Sequence, residues 1–159
     1  MESIIDVATG EVKIRRGNKV LVATAIGSCV AVIIIDAKKK VGGMAHVMLP
    51  GKAPAGKTFK TRFAFNAIEA LLKKIYKLGA SKKNMKVLIA GGANVLRLKN
   101  CHVGRDNIQA VTKLLEENGL VITAKNVGGT ERRRVKLDID NCIVYYNKGD
   151  GKNKILWKG

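Results

Sequence analysis

Cys29 stands in the stretch TAIGSCVAVIIID, directly after Gly27 and Ser28 and directly before a run of β-branched residues. A thiol at the joint between a glycine turn and a strand has two readings. It is a small buried hydrophobe, or it is a nucleophile beside converging backbone N–H groups, the geometry an oxyanion hole requires. A nucleophilic thiol needs a base to become a thiolate. The chain has two histidines, His46 and His102. His46 lies in VGGMAHVML, which reads as a strand returning antiparallel from a turn at residues 36–40. A hairpin centred near residues 37 to 38 sets Cys29 and His46 roughly opposite each other, close enough for a thiol–imidazole pair. A histidine between Ala45 and Val47 also reads as an ordinary core or edge residue. His102 directly follows Cys101, and neighbours on a strand face opposite sides, so these two do not pair with each other. A zinc set of Cys29, His46, Cys101 and His102 lacks CxxC or HxxxH spacing.

Two further features invite a chemical reading. Gly51, Gly56, Lys57 and Thr58 satisfy GxxxxGK[ST], a phosphate-binding pattern that has meaning only between a buried parallel strand and a helix. Pro50 and Pro54 interrupt the segment, and no later strand ends in an obvious magnesium-binding Asp, so a basic loop is the favoured reading. The second feature is charge. Thirty Lys and Arg against twelve Asp and Glu leave +18. The lysines are scattered and aromatics are only 4%, which offers few faces for base stacking. Nucleic acid therefore ranks last as a partner, behind a solvated surface and an acidic protein. Arg132, Arg133 and Arg134 form the one tight arginine cluster and are the candidate contact patch for substrate or partner.

These residues need a scaffold. The length and the 47% hydrophobic content fit one domain over 1–159 with a real core. Three cysteines do not form a disulfide framework, no apolar run reaches membrane-spanning length, and the N-terminus lacks a signal-peptide pattern. A cytoplasmic location is the expectation. Strands are expected at 12–14, 20–23, 30–35, 41–49, 86–90, 120–126, 135–139, 143–146 and 155–157. An apolar stripe at helical spacing predicts a helix over 59–78, stopped by Gly79. A second helix is expected over 107–118, with Asp106 as its cap. Strands with two helices among them indicate an α+β fold of layered, sandwich-like sheets with helices packed outside.

TAIGSCVAV, VGGMAHVMLP, AGGANV, VGRDN and VGGTERRR, in this order, resemble the motif series of the CheD family, the chemoreceptor glutamine deamidases of prokaryotic chemotaxis. The resemblance runs from about Gly10 to Tyr145. It implies a cysteine-hydrolase type of fold and deamidation of receptor glutamines to glutamates without a cofactor or metal. It places the family's cysteine and histidine on Cys29 and His46. The family's threonine, five or six residues before the cysteine, falls on Thr24, which would hydrogen-bond the imidazole; the sixth position is Ala23. Gly27 and Ser28 would supply oxyanion donors. Implied partners are the cytoplasmic helices of chemoreceptors and a CheC-type phosphatase. An alternative is a module that regulates that phosphatase, with deamidation secondary. Asn126 stands where the family often has an acidic residue, and Phe63 and Phe65 replace a frequent Tyr and Asp.

Overall fold

The β-branched run after Cys29 forms β4 (Val30–Asp36), every residue of which is buried. A strand covered on both faces must sit inside a layered structure, and the computed structural model, which describes residues 3–159, places it at the centre of one of two five-stranded sheets. The remaining strands are β1 (Ser3–Asp6), β2 (Val12–Arg16), β3 (Lys19–Ile26), β5 (Val41–Val47), β6 (Met85–Gly91), β7 (Ile122–Val127), β8 (Arg133–Asp138), β9 (Ile143–Lys148) and β10 (Lys154–Lys158). The central sheet has the order β2-β5-β4-β6-β7, antiparallel except for β6 with β7. The second has the order β1-β3-β8-β9-β10, antiparallel except for β1 with β3.

Two cores follow from the alternation of side chains along β4. Val30, Val32 and Ile34 face the helices α1 (Ala64–Lys77) and α2 (Val103–Glu117). Ala31, Ile33 and Ile35 face the second sheet. The layers are helices, central sheet, second sheet, which is the expected α+β architecture. Among the described residues no helix is long and apolar enough to cross a membrane.

Several expected boundaries move. The first helix begins at Ala64 rather than at residue 59. Phe63 is extended and forms a bridge with Leu49, and the backbone N–H groups of Met48 and Leu49 donate to the Arg62 carbonyl. Pairing with the end of β5 thus takes residues 60–62 out of the helix and leaves them as a 3₁₀ turn. The second helix starts at Val103, so Asp106 lies within its first turn and does not cap it. Loop 50–58 is no phosphate cradle. The strand feeding it, β5, is antiparallel to both its neighbours. The N–H groups of Ala64 and Phe65, which would face a phosphate, already donate to the Leu49 and Gly51 carbonyls.

Candidate active site

The turn between β3 and β4 has all three of its carbonyls tied down. The Gly27 carbonyl accepts the Ala93 N–H at 2.9 Å and the Cys29 carbonyl accepts the Gly92 N–H at 2.8 Å. The Ser28 carbonyl accepts the side-chain amide of Asn107 at 2.9 Å. The end of β6 passes so close that a Cβ on Gly91 would lie 2.2 Å from the Cys29 carbonyl oxygen, and Gly91 has φ +124°. Only glycine suits that backbone and that approach. The turn is therefore a fixed platform that presents Cys29 half-buried at the edge of the layer between the sheets.

His46 lies on the same side. Along β5, Ala45 and Val47 face the helices, while Met44 faces the second sheet. Strand alternation turns His46 the way of Met44. The pairing of β4 with β5 sets His46 opposite Ala31. Cys29 precedes Ala31 by two positions and shares its face, so Cys29 and His46 are diagonal neighbours rather than directly opposite. The expected hairpin is off by two residues, a shift that preserves the face.

The imidazole is buried at 2% exposure and its Nδ1 lies 3.0 Å from the Val7 carbonyl oxygen. A carbonyl only accepts, so Nδ1 carries the proton and Nε2 holds the free lone pair. Nε2 is buried and has no hydrogen-bond partner among the described residues. Burial pulls the imidazole below its usual range, against the Val7 hydrogen bond and the Asp6 and Glu11 carboxylates. Burial pushes the Cys29 thiol up, against its own backbone N–H. Both shifts favour a neutral thiol and a neutral imidazole at rest.

Thr24 does not take the expected place beside the imidazole. It is exposed on β3, next to Ala25, where the pairing with β8 slips and φ is +53°. Ala23 is the residue that points into the layer between the sheets. The Val7 carbonyl holds Nδ1 instead.

Gly27 and Ser28 line a cleft of about 250 Å³ together with Asn94, Leu96, Cys101 and Arg132. Only Arg132 of the arginine cluster reaches it. Arg133 is 3% exposed, and its Nε donates to Asn126 Oδ1 at 2.7 Å, linking β8 to β7 and so one sheet to the other. Arg134 is half-buried on the opposite face of β8. The expected single patch is split by strand alternation. His102 stands exposed before α2, and among the described residues no three His, Cys, Asp or Glu gather as a metal-binding group.

Two contributors lie outside the expected set of site residues. Val7 acts through its carbonyl, so its side chain carries no signal. Asn107 lies in the VGRDN stretch, and the signal was there: a polar residue on the inward stripe of Gly104, Val111 and Leu115.

The family model described as "CheD chemotactic sensory transduction" matches residues 48–148, a span that begins after Cys29 and His46. Longer similarities include both residues. The chain is 35% identical to the chemoreceptor glutamine deamidase CheD of Thermotoga maritima over 156 residues, 98% of this chain and 97% of that one. It is 35% identical to a probable chemoreceptor glutamine deamidase CheD of Chlorobium luteolum over 150 residues, 94% of this chain and 75% of that one. It is 34% identical to a protein of the same description from Methanococcus maripaludis, over 92% of this chain and 96% of the other.

Proposed function

The chain belongs to the CheD family, and we propose on that footing that it hydrolyses glutamine side-chain amides on chemoreceptors to glutamates, with Cys29 as nucleophile and His46 as base. The observation that carries the residue assignment is the buried, unpartnered Nε2 of His46, with its tautomer set by Val7, on the face it shares with Cys29.

The resting pair is neutral, so the first event is proton transfer. Nε2 takes the Cys29 proton as Sγ attacks the carboxamide carbon. The carbonyl electrons move onto oxygen, and backbone N–H groups of the turn at Gly27, Ser28 and Cys29 hold the oxyanion. The tetrahedral intermediate collapses, the C–N bond breaks, and Nε2–H protonates the departing ammonia. A water then gives its proton to Nε2 and attacks the thioester carbon. The C–S bond breaks, Cys29 regains its proton from His46, and the product is a glutamate side chain. Each turnover adds one negative charge to a receptor helix, a local change that biases a signalling equilibrium.

Substrate engagement falls to the cleft. Its rim carries Arg132 and Leu96, the latter 77% exposed, with Leu98 at 51% nearby. An apolar and cationic rim suits an amphipathic receptor helix with acidic residues. A substrate on cytoplasmic receptor helices supports a cytoplasmic location for the enzyme. The family resemblance supports a CheC-type phosphatase as a binding partner.

The test is co-expression with a chemoreceptor, followed by mass spectrometry of the receptor. The wild type should convert specific glutamines to glutamates and Cys29→Ala should convert none. Conversion by Cys29→Ala would overturn the assignment. Phosphatase binding retained by Cys29→Ala would separate the partner surface from the chemistry.

A further inference from the structure

Asn107 is fully buried on α2, between the turn that carries Cys29 and the end of the strand that carries His46. Its side-chain nitrogen donates to the Ser28 carbonyl at 2.9 Å and to the Met48 carbonyl at 3.0 Å. Both partners can only accept, so the orientation of the amide is fixed. Its Oδ1 is buried and has no hydrogen-bond partner among the described residues. An unpartnered buried acceptor is a penalty that an apolar residue would avoid. Packing alone does not account for an asparagine there.

The two acceptors mark where the ladder opens. The last pair between β4 and β5 at this end is Val30 with Val47. Continued pairing would set Cys29 against Met48. One step further the ladder would set Leu49 against Ser28, but the Leu49 N–H turns to the Arg62 carbonyl and leaves the Ser28 carbonyl to another donor. The Asn107 amide spans the gap.

We infer that Asn107 is a positioning residue for the oxyanion hole: by holding the Ser28 carbonyl toward the helices, it aims the Cys29 backbone N–H toward the reacting carbon. This rests on Cys29 being the nucleophile. A trans peptide is planar, with its carbonyl and its N–H pointing opposite ways, and the chain has no cis peptide bond among the described residues. Drawing the Ser28 carbonyl toward α2 therefore sends the Cys29 N–H to the other side. That is the side of the layer between the sheets, where the thiol packs. The favourable action of this N–H on the Cys29 thiolate agrees with the placement. When Sγ bonds to the substrate carbon, the oxyanion forms next to Sγ, within range of the same donor.

The decisive variant is Asn107→Asp, nearly equal in shape but unable to donate from an ionised carboxylate. With a receptor as substrate, kcat should fall about tenfold to a hundredfold, somewhat less than the loss seen on deleting an oxyanion donor outright. KM should stay within about twofold, because ground-state binding does not use this donor. Alkylation of Cys29 by iodoacetamide should change by less than about threefold, since it reports the thiol and its base. An unchanged kcat overturns the inference. So does a parallel loss of kcat and alkylation, which would place Asn107 in thiol activation. Should the variant not fold, the wild type provides the test. A peptide aldehyde in place of the target amide adds reversibly to Cys29, and the Cys29 amide proton and the Asn107 side-chain amide protons should both shift in the NMR spectrum. An unmoved Cys29 amide proton overturns the inference. A wild type that deamidates as well as Asn107→Asp does leaves the deamidase assignment standing and removes only this inference. A wild type that deamidates nothing removes both.

Discussion

His46 pairs with Ala31 across the ladder of the central sheet, two positions along from Cys29 and on the same face. The diagonal matters, because a directly opposed pair would bring both side chains up over one point. Cys29 directly follows Gly27 and Ser28, which line the cleft, and the imidazole stays buried.

His46→Ala should therefore be folded and nearly inactive, and iodoacetamide should label its Cys29 more slowly than in the wild type, because the thiol has lost its base. Thr24→Ala should label and turn over close to wild type, since Thr24 is exposed and Val7 holds the ring. Labelling rates that are equal in His46→Ala and wild type, or a collapse of activity in Thr24→Ala, would contradict this arrangement.

The acid limb of kcat/KM should lie below pH 6.5. Catalysis needs neutral His46, whose folded pKa is lowered from 6.5 mainly by burial. At pH 6.5 the enzyme should then keep more than half of its plateau rate. Stability follows the same sign. Between the lowered folded pKa and 6.5, the unfolded chain binds the proton and the folded chain does not, so stability falls as pH drops through that window. A limb centred at or above 6.5 would show that the imidazole is not desolvated.

Arg132 and Arg133 should separate by phenotype. Arg132→Gln, at the cleft, should raise KM and leave kcat and the melting temperature nearly unchanged. Higher salt should do the same in the wild type, because screening shortens the reach of surface charge to about 8 Å at physiological ionic strength. Arg133→Gln should cost about 1–3 kcal/mol of stability, since it removes a buried donor from Asn126. Denaturant melts and steady-state kinetics on both variants would decide. Equal effects on KM would restore the single patch.

Gly91→Ala should destabilise the fold by at least about 1–3 kcal/mol for the backbone alone, with φ at +124°. The added methyl must also push the Cys29 carbonyl away. Activity should fall further than the loss of folded protein explains. A variant of normal melting temperature and normal rate would mean that the turn is not held from this side.

The stretch around Cys29 and His46 carries most of its meaning in the sequence, because hairpin pairing and strand alternation are short-range effects. A glycine turn, a β-branched run and a returning strand were enough to bring thiol and imidazole to one face, although the register is two residues from the expected one. Alternation along β8 was equally legible, yet three adjacent arginines look like one patch until the core on one side of the strand is known. Tertiary structure alone decided the partners of His46 and Ser28. Val7 reaches the imidazole through a carbonyl that every residue type possesses, and Asn107 reaches Ser28 across 79 positions of chain. Thr24 lost the place expected of it because Ala23 faces the layer between the sheets and strand alternation turns its neighbour Thr24 outward. The first helix lost its opening turn because Phe63 pairs with Leu49. In each case the local pattern allowed more than one arrangement, and a contact between segments far apart in the chain selected the one that satisfied buried backbone groups.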